Sequence, residues 1–375
     1  MKTNERNILL ILLGSSFLIR FLLSFWLELG NDEVYYYTYA LYPAWSYFDH
    51  PPMVGWVIRI FSLNLLVQGE WAVRFASVAL GTLNTYLIYV LGKFIKNREA
   101  GIYAALLYTS SIYCFVIFGL FILPDTPQST FWLLAIFAFL KSIISSELNK
   151  NSRSWLLAAG VFTGLAMLSK YTSAFLWAGA GAYILFFNRK WLKSKELYIS
   201  ILLSALFFLP VILWNVQNDW ISFTYHGERV DFSKGRFRID YLMSELGGQF
   251  LYNNPVAVVT VFIAAINFMK GKHYISKPQG NFLLLISFPI IFIFIIISTF
   301  RATLPHWSGP GYHALILMGG CWLAWKRETS RQKKIPFHLR AALSFLILVL
   351  IAGIAQIQFS LLIKKKKKKG VFRGK

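Results

Sequence analysis

The sequence predicts an all-α polytopic membrane protein, and three observations carry that prediction. Hydrophobic residues make up 57% of the chain and charged residues only 14%, outside the mix of a soluble domain. Mean hydropathy is +0.54. Apolar runs long enough to cross about 30 Å of hydrocarbon recur from end to end, and no polar stretch is long enough to build a separate soluble domain.

Taking runs of about 17 to 25 residues places spans near 8–27, 72–92, 101–119, 127–144, 155–168, 172–187, 197–214, 252–269, 281–299, 311–325 and 340–363, about eleven helices in all. The first run, Ile8 to Leu27, follows a short basic N-terminus and is too long and too well flanked by further spans to be only a cleaved signal. Between the first two spans, Gly30 to Trp71 holds an aromatic-rich run and then Met53 to Leu66, an apolar segment too short to cross. It reads as one or two helices lying in the membrane interface. Residues 1–363 are expected to form one transmembrane domain. The basic tail 364–375, with its run Lys364 to Lys369, is set apart from it. Such a run is unexpected on an outer terminus and can arise by reading through an adenine-rich tract.

The formal net charge is +22, which in a soluble protein would suggest nucleic acid. Here the basic residues sit in short loops between apolar runs, where they set topology. With the N-terminus inside, the inner loops hold about twenty Lys and Arg against about eight outside. Cys114 and Cys321 lie within apolar segments without metal-ligand spacing and read as buried thiols.

That orientation gathers most of the remaining polar residues on the outer face. The first outer loop carries Asn31-Asp32-Glu33-Val34-Tyr35-Tyr36-Tyr37 and then Tyr47-Phe48-Asp49-His50-Pro51-Pro52. A carboxylate there suits removal of a proton from an attacking hydroxyl, which makes Asp32 a candidate base. The alternative is that Asp32 caps the following helix and Glu33 completes its first turn. Asp49 before a proline pair also marks a turn that starts a helix, and His50 alternatively satisfies a backbone group. Several ionisable residues at the rim of a hydrophobic bundle are nevertheless costly unless paired or functional. The second loop, Leu123-Pro124-Asp125-Thr126-Pro127, offers another acid in a capping position.

The third loop supplies Lys170 and Tyr171, and the fourth is a longer polar stretch that includes Trp214, Asn215, Asp219, Trp220, Ser222, Phe223, His226 and Arg229. Fixed cations suit an anionic phosphate leaving group. Lys170, within an apolar hairpin, is the best single candidate, unless it only snorkels to the interface. Arg229 is followed by Lys234, Arg236 and Arg238, a group that equally suits lipid headgroups. In the fifth loop, Arg301-Ala302-Thr303-Leu304-Pro305-His306-Trp307, Trp307 either stacks on a sugar face or anchors at the interface. No Walker loop, Rossmann glycine pattern, HExxH or paired CxxC occurs.

Asp32-Glu33 with its aromatic run, the Tyr-Phe-Asp-His-Pro-Pro element at 47–52, Pro124-Asp125-Thr126-Pro127, Gly164 through Tyr171, Trp214-Asn215 with Asp219-Trp220 and Ser222-Phe223, and Pro305-His306-Trp307 resemble the bacterial branch of the dolichyl-phosphate-mannose protein mannosyltransferase family. The lipid A aminoarabinose transferases are similar relatives. The resemblance runs in order from about residue 30 to about residue 315. It implies a GT-C fold, a polyprenyl-phosphate-linked sugar donor, inversion at the anomeric carbon, and an essential acid at Asp32 with a second, Asp125, near the active site. Lys170 and Arg229 would by position contact the donor phosphate. After His306-Trp307 the chain departs from the family pattern, reading Ser308-Gly309-Pro310-Gly311-Tyr312 in place of alanine-rich small residues.

The expectation is therefore a glycosyltransferase of the inner membrane with its active site on the outer face, acting on a lipid or cell-surface glycan. The alternatives are a protein Ser or Thr acceptor, or a transporter of lipid-linked sugars. A transporter is disfavoured because no internal repeat is visible and the polar residues gather at one face. The site residues expected are Asp32, Glu33 and Asp125 for catalysis, with Asp49, His50, Lys170, Tyr171, Arg229, His306 and Trp307 binding substrate. No cofactor, no metal and no nucleic acid are expected.

Overall fold

The structure, a computed structural model, describes residues 2–145, 148–231, 236–330 and 335–359; Lys234 and the tail at 364–375 lie outside the described residues. The described chain is helical with no strand. In order come α1 (Lys2–Trp26), α2 (Asn31–Leu41), α3 (Met53–Phe61), α4 (Glu70–Ile95), α5 (Arg98–Ser110), α6 (Asp125–Ser142), α7 (Lys150–Met167), α8 (Phe175–Phe187), α9 (Lys195–Gln217), α10 (Ile221–Val230), α11 (Ile239–Tyr252), α12 (Pro255–Met269), α13 (Lys277–Ser298), α14 (Gly309–Ser330) and α15 (Phe337–Phe359).

A helix stands at every one of the expected spans, and α2 and α3 occupy the segment read as interfacial. Five helices, within α1, α4, α9, α13 and α15, are long and apolar enough to cross a membrane by themselves, and the pair α11 and α12, bent by 94°, would make a sixth. The others are shorter or less apolar, and burial differs widely among the helices. Every residue of α14 from Gly309 to Ala324 is buried, His313 included, whereas in α15 only 17% of the apolar window is covered. The protein is multi-pass, with α9 and α15 at its lipid-facing margin. The polar stretch after α9 is more ordered than its composition suggests, folding into α10 and α11.

Small residues let the helices approach closely, as in membrane bundles generally. A Cβ on Gly320 of α14 would lie 2.5 Å from the backbone nitrogen of Ala104 in α5. Between α7 and α9 the contact is sealed by hydroxyls: Ser200 donates to the carbonyl of Leu156 at 2.6 Å and Ser204 to that of Gly160 at 2.7 Å. Cys114 and Cys321 are buried free thiols.

Three interruptions in the helices shape the site. After α5 the chain forms a π turn, Tyr113–Ile117, before α6 begins; 3-10 turns at Tyr171–Ala174 and Pro305–Ser308 precede α8 and α14. The two 3-10 turns meet α2, the 49–50 loop and α10 around one cavity, and the π turn reaches it through Tyr113, which donates to the cavity residue Asp125.

Candidate active site

The cavity has a volume of ≈ 690 Å³. Of the residues singled out in the sequence, Asp32, Asp49, His50, Asp125, Lys170, Tyr171, Arg229, His306 and Trp307 all line it, drawn from five separate loops. Phe175, Ile293, Phe294, Ile297 and Leu304 give it an apolar side.

Glu33 corrects the sequence expectation, because it does not line the cavity. Successive residues on a helix point about 100° apart, so when Asp32 faces the cavity its neighbour turns inward. Glu33 is buried and bidentate to Arg74 of α4, with Nε to Oε1 at 2.8 Å and Nη2 to Oε2 at 2.6 Å. Arg74 also donates to the carbonyls of Leu27 and Glu28. Glu33 in turn accepts from the backbone of Gly30 at 2.9 Å and of Ile122 at 3.1 Å. The helix-start role weighed for Asp32 thus falls to Glu33, and this buried pair ties the end of α1, the start of α2 and the approach to Asp125 together.

Asp49 is held on all sides. Its Oδ1 accepts from Tyr35 at 2.8 Å and Tyr39 at 2.6 Å, and its Oδ2 lies 3.1 Å from Nδ1 of His50. Burial alone would raise its pKa, but the contacts from His50, Tyr39 and Tyr35 outweigh it and hold the carboxyl well below the usual range. The carbonyl of Asp49 meets Nε2 of His226 at 2.7 Å, and burial lowers the pKa of that histidine. The Ser222 hydroxyl donates to the carbonyl of Tyr47 at 2.9 Å, and its backbone N–H donates to Oδ1 of Asn215 at 3.1 Å. The Asn215 and Ser222 motif therefore fastens α10 onto the Asp49 loop.

Asp125 is no cap. Its Oδ2 pairs with Nζ of Lys170 at 2.8 Å and its Oδ1 accepts from Tyr113 at 3.0 Å, with both partners buried. Lys170 does not snorkel, then, although an ammonium with one carboxylate contact retains donors for a second anion. Nearby His306 is pushed down to about 4 by burial, so it stays neutral at physiological pH.

Two charged groups remain. Asp32, exposed on the rim, and Arg229 carry no ion pair among the described residues. The Arg229 guanidinium lies 4.8 Å from the ring centre of Trp307 and 5.2 Å from that of Tyr225, a stacked arrangement that fixes its plane and leaves its edge free to bind an anion. Among the described residues no group of three or more His, Cys, Asp and Glu is placed to hold a metal ion.

Sequence reasoning missed Arg74, Tyr113, Tyr35 and Tyr39 as parts of the site. Arg74 carried a signal, a single charge within an apolar span, where such residues are paired or functional. The tyrosines, in an aromatic-rich chain, carried none.

Residues 49–214 match the sequence family described as dolichyl-phosphate-mannose-protein mannosyltransferase. The chain is 21% identical over 330 residues to the lipid A galacturonosyltransferase RgtD of Rhizobium johnstonii, an alignment covering 88% of this chain and 65% of that protein. In fold it resembles ArnT of Cupriavidus metallidurans bound to undecaprenyl phosphate, with a TM-score of 0.68 at 19% identity over 92% of this chain and 64% of that one. It also resembles the Archaeoglobus fulgidus oligosaccharyltransferase, with a TM-score of 0.56 at 16% identity over 93% of this chain and 54% of that one. The chain spans a little under two thirds of the length of RgtD and of ArnT. The chain is therefore similar in sequence, over residues 49–214, to the dolichyl-phosphate-mannose-protein mannosyltransferase family and, over most of its length, to the lipid A galacturonosyltransferase RgtD, and it shares its fold with ArnT.

Proposed function

We propose that this protein is an inverting glycosyltransferase that moves a sugar from a polyprenyl-phosphate carrier to a hydroxyl of a lipid or cell-surface glycan, on the outer face of the inner membrane. The observation that carries the reading is the contrast within one cavity: Asp49 is held by His50 and two tyrosines and Asp125 is paired with Lys170, while Asp32 and Arg229 face the same space with no ion-pair partner among the described residues. An unpaired carboxylate and an unpaired guanidinium are the two groups such a transfer requires. The acceptor oxygen attacks the anomeric carbon as its proton passes to Asp32. The bond from that carbon to the phosphate oxygen breaks with its electron pair, and the charge gained by the departing polyprenyl phosphate is met by Arg229 and by the remaining donors of Lys170. His306, neutral, and Trp307 would line the sugar. The apolar side formed by Phe175, Ile293, Phe294 and Ile297 suits the first part of a prenyl chain.

The orientation comes from the distribution of Lys and Arg, which puts this end of the bundle outside. The lipid acceptor is preferred to a protein one because the similarity to a lipid A transferase extends over 330 residues, about twice the stretch matched by the protein mannosyltransferase family. The test is transfer of labelled sugar from polyprenyl-phosphate donors by the purified protein in liposomes, offered lipid and peptide acceptors, with Asp32→Asn as the control. Product that requires Asp32 supports the reading, and the acceptor used decides between its two forms. Movement of donor across the liposome membrane with no product from any donor would replace it with a transporter.

A further inference from the structure

Arg20 lies within the apolar span Glu5–Trp26, fully buried, and no carboxylate pairs with it among the described residues. A charge in such a place is costly unless it has partners, so what it touches is informative. Its Nε donates to the carbonyl of Phe115 at 3.1 Å and its Nη2 to that of Cys114 at 3.4 Å, with the guanidinium 4.3 Å from the Phe115 ring centre. Both carbonyls belong to the π turn Tyr113–Ile117, where the helix after α5 has broken. Backbone groups freed by such a break need partners in a membrane.

The space for the guanidinium is shaped to it. A Cβ on Gly119 would come within 2.9 Å of the Arg20 Nε, and one on Gly81 would meet the Gly119 Cα at 2.8 Å and the Arg20 Nη1 at 3.5 Å. The same π turn carries Tyr113, whose hydroxyl donates to Asp125, and Asp125 holds Lys170.

We infer that Arg20 is a positioning residue: from inside the membrane it holds the π turn in the register that sets Tyr113 against Asp125, and so keeps Lys170 aimed into the cavity. The link from Lys170 to a leaving phosphate rests on the function proposed above; the link from Arg20 to Tyr113 does not. Cys114 sits in the turn itself and Cys321 in α14, both buried, and together they provide a local reporter and an internal control.

The experiment compares wild type, Arg20→Met and Arg20→Lys in liposomes, following reaction of each thiol with a membrane-permeant maleimide alongside steady-state sugar transfer. In Arg20→Met, Cys114 should label at least about tenfold faster while Cys321 keeps its wild-type rate, because only one segment has been released. Transfer should lose about tenfold in kcat with donor KM within about twofold, the mark of a contact made in the transition state. Arg20→Lys, which can still donate to one carbonyl, should recover most of both. Unchanged Cys114 labelling with unchanged transfer overturns the inference, and so does equal exposure of both thiols, which would mean that Arg20 supports the bundle as a whole. If wild type itself transfers no sugar, the proposed function falls, while the comparison of the two thiols still decides the role of Arg20.

Discussion

The floor and the rim of the cavity use charge differently. Below the rim Asp125 has Lys170 and Asp49 has His50 and two tyrosines, and behind the cavity Glu33 has Arg74. At the rim, Asp32 and Arg229 have none among the described residues. A buried charge whose partner is removed is strongly destabilising, whereas a solvated one costs little to leave alone. The difference teaches that the paired residues are sensitive to substitution through stability, Lys170 alone among them also keeping donors for substrate in the proposed reaction, and that the unpaired ones should be sensitive through rate.

Substitutions can break or sharpen that division. The largest effect belongs to Asp32→Asn, expected to lower transfer by about 10²- to 10⁴-fold with no loss of thermal stability; activity within tenfold of wild type would erase the distinction drawn for the rim. Next is Arg74→Ala, expected to cost about 3–5 kcal/mol of stability, read as a lowered unfolding midpoint in detergent. Adding Glu33→Gln should cost less than the sum of the two single changes, and strict additivity would show that the pair is not coupled. Arg229→Ala should lower kcat/KM by about 10- to 100-fold, near the 1.5–3 kcal/mol of a hydrogen bond to a charged group, with the folded state unaffected.

A smaller effect is the pH dependence that His306 confers. An unfolded histidine titrates near 6.5 but the folded one at about 4, so between these values the unfolded chain binds a proton that the folded chain refuses. Stability is therefore full above pH 6.5 and falls on acidification, by about 1.4 kcal/mol per unit, and His226 contributes in the same direction. His306→Gln should flatten the slope of unfolding midpoint against pH between 6.5 and 5; an unaltered slope would assign it to other groups. The smallest expected effect is that of a chelator: with Arg229 and Lys170 facing the leaving group, the proposed transfer should keep its rate in EDTA, and a loss restored by one divalent metal would show that the cavity needs an ion.

How far the sequence anticipated this follows from which facts are local. Span positions are local: α4 and α13 announce themselves by apolar length, and even the less apolar α14 was visible as a run at 311–325. The convergence of Asp32, Asp49, Asp125, Lys170, Arg229 and His306 was legible as well, because membrane topology alone brings alternate loops to the same side. Partner choice is not local. Glu33 and Arg74 are 41 positions apart, and nothing in the dipeptide Asp32-Glu33 says which acid faces the cavity; the rotation of α2 against α4 decides it. The break after α5 was hidden because residues 101–119 read as one continuous apolar helix, and a π turn leaves no signature in hydropathy.

Asn254, at the bend between α11 and α12, has a consequence for the order in which the protein is made. With φ 67°, it caps α12 through its side-chain oxygen, while its amide nitrogen donates to the carbonyl of Ser110 in α5 at 2.9 Å and to that of Ala342 in α15 at 2.8 Å. A ribosome delivers α5 and α12 before α15, so for the time needed to synthesise α15 one amide hydrogen is without its final partner. The nascent bundle is thus incomplete at this bend until α15 arrives, and the closing bond of this network joins α15 to a helix made well before it.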